Sequence, residues 1–295
     1  VWCHSQGVFP LRADLAKGLR VSPANITVAH MEGSGCYGHN GADDVAFDAA
    51  LLARALPGTP VKLQWMREDE FQWEPLGSPM TIKLQATLDK ASDGSLKIAA
   101  WSHELWSYTH STRPGDADGV NLTGAWHIAN PLPAGPSRNI PQPSGGSDRN
   151  SVPLYVFPQQ TVTNHLLQSQ PIRTSALRTL GAYANVFAAE SFMDELADLA
   201  GADPIAFRLK HLADPRAKAV AVKSAASAIW PASTRPTSRS ISNWACLISN
   251  MYWKKTMTTR LMPQPPTTRG RTVSKLGAQQ WKTIQPPKSP IKRSL

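Results

Sequence analysis

"GSGCYGHNGADDVAFDAALLARALPGTPVKLQWMREDE", residues 33–70, decides how the rest of the chain is read. Gly33, Gly35 and Gly38 form G-x-G-x-x-G. The loop follows the apolar run "NITVAHM" and opens into a helical pattern over 42–56, with Val45, Ala49, Leu52 and Leu56 on one face. Strand, glycine turn and helix are the parts of a dinucleotide-binding turn, which also needs an acidic residue about 20 positions on to hold a ribose. Glu68, the first acid after the expected strand 61–65, lies 30 residues beyond Gly38. Asp43 and Asp44 also stand where a pyrophosphate would seek the helix N-terminus, and they would repel it. A phosphate-binding P-loop is excluded because no Gly-Lys-Ser/Thr closes the turn. A tight strand-to-helix connection with only a packing role stays open, since glycine clusters also serve backbone geometry.

Outward from this loop, the pattern predicts a helix over 10–20, a strand over 25–31 and a strand at "VKLQW" (61–65). Longer strands are expected over 80–88 and 97–109, joined by the turn-rich "DKASDGS". Residues 113–152, rich in Pro, Gly, Ser and Asn, read as a long surface excursion, a lid or a partner contact. Strands near 153–157 and 160–167 follow, then a helix over 183–199, on which Glu190, Asp194 and Glu195 are placed on a solvated or partner-facing side. Asp203-Pro204 reads as an N-cap with proline at the first helical position, opening "PIAFRLKHL".

The net charge of +10 suggests a polyanionic partner, but its distribution argues against nucleic acid. Thirteen of the 31 basic residues and none of the 21 acidic ones fall in 219–295, so residues 1–218 carry a net charge of −3. The last stretch shows no sustained period, and two readings stay open for it. One is a basic arm for nucleic acid or membrane, making the chain a binding module. The other is translation in a wrong frame from near 218–223, where the change falls inside a helical pattern rather than at a linker; the chain is then a truncated, non-catalytic product. No apolar run approaches the roughly 18 residues that span a bilayer. Three scattered cysteines (Cys3, Cys36, Cys246) make neither a disulfide framework nor an iron–sulfur site. His39 with Cys36 gives two ligands without a third, so no metal site is read there.

Five segments, "HSQGVFPLRADLAKGL", "VAHMEGSGCYGHNGADDVAFDAALLARAL", "PVKLQWMREDEF", "THSTRPG" and "RTSALRTLGAYANVFAAESFMDELA", occur in this order. Together they resemble the molybdenum-binding large subunit of the xanthine dehydrogenase and aldehyde oxidase family. The resemblance is to the bacterial branch typified by the beta chains of isoquinoline 1-oxidoreductases and by related membrane-linked aldehyde dehydrogenases. It covers about residues 1–218 and implies an α+β fold of mixed sheets with packed helices, an incomplete molybdopterin-binding domain, with 219–295 as a separate tail. It implies molybdenum held by molybdopterin, in the cytosine dinucleotide form, against Gly33, Gly35, Cys36, Tyr37 and Gly38 and against Ala176 and Leu177. Arg178 is the implied catalytic residue at the substrate, holding a carbonyl or developing negative charge. The implied reaction is oxidative hydroxylation of an aldehyde or N-heterocycle with water-derived oxygen. Electrons leave through a small [2Fe-2S] subunit, with a cytochrome c subunit as a further partner. The family's general-base glutamate lies near the C-terminus of the large subunit; no acid follows Asp214, so the base is expected to be absent and this chain alone inactive. The sequence departs from the family at Cys36 and Tyr37, where phenylalanine is common, and at Thr179, where glycine is.

Overall fold

The computed structural model describes residues 1–33 and 35–227, and side chains to residue 223. Its elements fall around two buried clusters. The first is built on β1 (Trp2–Cys3), α1 (Val8–Leu19), β2 (Ala29–His30) and α2 (Ala42–Ala55). Leu11 and Leu15, one helical turn apart, bury fully on α1. The helix stops at Arg20, whose left-handed backbone turns its N–H back to the carbonyls of Ala16 and Lys17. Gly18 lets α2 approach, because a Cβ there would lie 2.4 Å from the Phe47 ring.

After α3 (Arg67–Trp73) and β3 (Leu76–Gly77) comes a sheet of β4 (Met80–Lys90), β5 (Leu96–Ser107) and β6 (Gln159–Leu166), whose β4 and β5 contribute to the second cluster. β4 and β5 are an antiparallel hairpin with Met80 opposite Ser107, and β6 runs parallel to β5 with Trp106 opposite His165. β7 (Thr174–Ser175) pairs in parallel with β3. α4 (Ala182–Leu199), α5 (Pro204–His211) and α6 (Pro215–Ser227) complete the described chain. Met193, Leu196 and Ala197 of α4 pack with Trp101, Phe157 and Phe207, and the Trp101 and Phe157 rings stack at 4.9 Å between centroids. Helices lie beside mixed sheets, so the α+β expectation holds.

Several expectations are corrected. "VKLQW" is not a strand: its side chains alternate in exposure, but no strand pairs with it among the described residues. Trp65 packs instead against Gly41, at the start of α2, and the unforeseen α3 follows with Asp69 Oδ2 accepting from the Met66 amide at 3.0 Å. Only Ala29–His30 of the expected strand 25–31 pairs, with Trp2–Cys3, and at 153–157 only Tyr155 bridges, to Leu212. Residues 113–152 are not a surface excursion throughout, since Val120, Leu122 and Ala125 are part of the first core. That segment is pinned through polar contacts that leave no period in the sequence: Asp14 accepts from the Asn121 amide at 3.0 Å, and the Trp126 indole donates to Val120 O at 2.7 Å. Asp194 does not face solvent: it is buried and pairs with Arg208 of α5, which also pairs with the partly exposed Glu190, while Glu195 is exposed as expected. The expected tail, 219–295, starts within α6, in keeping with a change inside a helical pattern, and 228–295 lie outside the described residues.

Four imidazoles, His39, His103, His110 and His211, are buried, and burial lowers the pKa of each. His110 is pushed down to about 4, with Nε2 3.1 Å from Ser107 Oγ and Nδ1 without a partner among the described residues. The unfolded chain therefore binds protons that the folded chain refuses. Stability is full above about pH 6.5 and falls until the pH reaches the folded value, by about 3 kcal/mol for His110 alone. Urea unfolding at pH 7 and pH 4.5 should show a lower midpoint in acid, and His110→Gln should flatten that slope. Equal slopes in the two proteins would remove His110 from this account.

Candidate functional site

The glycine loop and the segment 176–178, 138 residues apart at Gly38 and Ala176, are joined backbone to backbone. The His39 amide donates to Ala176 O at 2.7 Å, and the Arg178 amide donates to Tyr37 O at 2.9 Å. Gly38 and Leu177 face each other between these two bonds as an antiparallel bridge. Gly38 has φ +138°, and a Cβ on it would lie 2.4 Å from Ala176 O and 2.9 Å from Leu177 Cα. Glycine is therefore required at this crossing on two counts, conformation and space. Gly35 has φ +93°, but the nearest atoms to a Cβ there are the outer atoms of the Tyr37 ring, at 2.9 Å and beyond. Gly33 packs on His4, at 2.7 Å for an added Cβ.

The sequence motifs are thus brought together: Gly35, Cys36, Tyr37 and Gly38 stand on one side of the bridge, and Ala176, Leu177 and Arg178 on the other. Tyr37 and Leu177 are exposed, and their backbone amides donate to no protein acceptor among the described residues. Arg178 is exposed, with its guanidinium carbon 6.0 Å from the centre of the Tyr37 ring. Thr179 and Leu180 both adopt left-handed backbone, at φ +79° and +55°, and turn the chain into α4. Gly181 admits that turn: its amide donates to Gly146 O at 3.0 Å, and a Cβ would lie 2.1 Å from Ser147 O.

Three features escaped the sequence. Arg113, within "THSTRPG", donates to Gly38 O, and its guanidinium lies 3.4 Å from Cys36 Sγ and 4.0 Å from Asp43 Oδ2. Its place in one of the five family-like segments was the available signal. Asp43 and Asp44 are buried and matched rather than free to repel an anion: Asp44 Oδ2 pairs with Arg173 at 2.9 Å, and Asp43 takes Ser5, His39 and Arg113. Burial works against the Asp43 carboxylate, but hydrogen bonds from His39 and Ser5 and the nearby cations outweigh it and hold the carboxyl below its usual range. His39, four residues before Asp43, points its ring nitrogens at Asp43 and at Ser175 Oγ (2.9 Å), while the Cys36 thiol is directed at Gly38 O.

Residues 1–131 match the molybdopterin cofactor-binding domain family. The chain is similar to a nicotinate dehydrogenase chain of Pseudomonas putida, 40% identical over 236 residues, which cover 80% of this chain and 18% of that protein. It is also similar to the beta chain of isoquinoline 1-oxidoreductase from Brevundimonas diminuta, 25% identical over 213 residues, 72% of this chain and 24% of that one. The fold resembles that of quinoline 2-oxidoreductase from Pseudomonas putida, with a TM-score of 0.51 and 17% identity across 88% of this chain and 29% of that chain. The chain spans about a fifth of the length of the curated relatives it matches.

Proposed function

From a chain that belongs to the molybdenum hydroxylase family and carries its molybdopterin cofactor-binding domain, we propose part of a large subunit that oxidises an aldehyde or an N-heterocycle. The observation that carries this reading is the bridge between Gly38 and Leu177. It makes one surface of two motifs distant in sequence.

The residues present fit the cofactor. Gly38 lets the two segments close on each other, and the amides of Tyr37 and Leu177, both exposed residues, donate to no protein acceptor among the described residues and are donors suited to oxo and pterin oxygens. Gly33, Cys36 and Ala176 complete the proposed contact surface. Molybdopterin, when bound, supplies the two-electron redox chemistry. Arg178 then holds the substrate oxygen or charge that faces it, and the Tyr37 ring beneath the guanidinium presents a flat apolar surface. That pair suits a planar heteroaromatic acid, in keeping with the nicotinate for which one relative is named. The three scattered cysteines of this sequence cannot ligate an iron–sulfur cluster, and the family reading assigns the clusters to a partner subunit. The cytosine dinucleotide form of the cofactor and a cytochrome c subunit are expectations of the same family reading.

The test is Arg178→Ala in an assembled enzyme whose large subunit is long enough to carry the general-base glutamate that this sequence lacks, produced in a host that makes the cofactor and assayed with aldehydes and N-heterocycles and an artificial electron acceptor. kcat/KM should fall about 10²–10³-fold, as for loss of one positioned donor, with Tm unchanged because the side chain is exposed. Unaltered turnover would remove Arg178 from the substrate site.

A further inference from the structure

Beneath the bridge lies a buried polar chain. Ser5 Oγ donates to Asp43 Oδ1. Asp43 Oδ2 lies 3.2 Å from His39 Nε2, and His39 Nδ1 lies 2.9 Å from Ser175 Oγ. The Thr112 amide donates to the same Ser175 oxygen at 3.1 Å. His39, Asp43 and Ser175 are 4%, 2% and 0% exposed. The proton directions follow from the two ends. A backbone amide only donates and an ionised carboxylate only accepts, so the Ser175 hydroxyl donates to Nδ1 and the Nε2 proton is directed at Asp43. The Nε2 contact is off the ideal hydrogen-bond angle, but no other acceptor meets this nitrogen among the described residues.

A Ser–His–Asp series is the arrangement of a hydrolytic nucleophile. Here it cannot act as one, because Ser175 is fully buried and no substrate carbonyl can reach its oxygen. Its position gives it a different use. His39 directly follows Gly38, and Ser175 directly precedes Ala176. The side-chain bond therefore adds a third rung beside the two main-chain bonds of the bridge, and Asp43, in the first turn of α2, anchors that rung to a helix.

We propose that this chain is a clasp, with neutral His39 as the positioning residue that sets the glycine loop against the segment carrying Arg178. The consequence for catalysis rests on the cofactor reading above; the clasp itself does not. Burial and the charges of Arg113 and Arg173 favour the neutral imidazole, against the pull of Asp43. A glutamine at position 39 has one amide donor and one carbonyl acceptor and can span the same two partners; leucine has neither.

Amide hydrogen exchange on the full chain tests the proposal. In His39→Leu and in Ser175→Ala, peptides covering 35–40 and 174–180 should exchange about tenfold faster or more, while β5 peptides keep wild-type rates. His39→Gln should restore rates to within about threefold of wild type, which a purely space-filling role for the ring would not produce. Wild-type rates in both disabling variants would overturn the clasp, as would equal acceleration of β5 or a glutamine variant as loose as leucine. Molybdenum content of the same samples tests the cofactor reading separately. A folded wild-type chain without metal would count against that reading and leave the exchange result to decide the clasp.

Discussion

Replacement of Gly38 by alanine is expected to destabilise the folded chain by about 2–5 kcal/mol and to abolish retention of molybdopterin. Two costs combine. At φ +138° any residue with a Cβ is strained, and here the Cβ would also sit 2.4 Å from Ala176 O and 2.9 Å from Leu177 Cα. Both obstacles are backbone, so neither can rotate away as a side chain could. The strands of the bridge must separate, and the bonds from His39 to Ala176 and from Arg178 to Tyr37 are lost with them. Gly35→Ala provides the internal comparison: it shares the strain of a positive φ, but the nearest atoms to its Cβ belong to the movable Tyr37 ring. Chemical denaturation should therefore show a clearly larger loss for Gly38→Ala than for Gly35→Ala. Equal losses would mean that the close approach at Ala176 carries no energy.

Arg208→Met is expected to be the most damaging single change in the second core. Arg208 lies 2.9 Å from Glu190 Oε2 and 2.6 Å from Asp194 Oδ1, and donates to the Glu190 carbonyl at 2.9 Å. Tyr155 donates to the same Glu190 carboxylate, at 2.9 Å to Oε2, so four side chains from α4, α5 and the strand-like segment before β6 share one network. Methionine fills similar volume but leaves Asp194, 4% exposed, as a buried charge without its partner. Breaking one side of such a pair costs about 3–5 kcal/mol, which lowers Tm by roughly 10 °C in a unit of this size. Adding Asp194→Asn to Arg208→Met should recover part of the loss, because it removes the stranded charge. A Tm within about 2 °C of wild type for Arg208→Met would show that the network is solvated in solution.

The parts of this fold that were legible in the sequence are those governed by local periods. Leu11 and Leu15 mark α1, and the alternation on either side of "DKASDGS" marks the β4–β5 hairpin; α2 forms where expected, but the face read as apolar is not the one it buries, since Leu52 and Leu56 are exposed and Ala46, Phe47 and Ala50 are buried. Asp203 accepts from the Ile205 and Ala206 amides as its place before Pro204 predicts. Periodicity states which side chains share a face, not what that face meets. "VKLQW" alternates as a strand does and finds no strand beside it among the described residues. Glu190 and Asp194 share a helical side with no local sign that Arg208 would reach across to them. At the candidate site the loop and the arginine segment were each visible, whereas their register, Gly38 against Leu177, is set by contacts between residues far apart in the chain. Arg113 and the His39–Ser175 bond share that character, and only the folded chain displays them.

The central claim, that the glycine loop and the 176–178 segment together cradle molybdopterin, is tested most directly by cofactor content. The full chain and its Gly38→Ala variant would be produced in a host that makes the cofactor, purified, checked for folding by circular dichroism, and measured for molybdenum and for the fluorescent pterin oxidation product. The account predicts molybdenum and pterin in equal amounts in the wild-type chain and near-background levels of both in Gly38→Ala. A Gly38→Ala chain that retains as much pterin as wild type, or a folded wild-type chain that retains none, would contradict it.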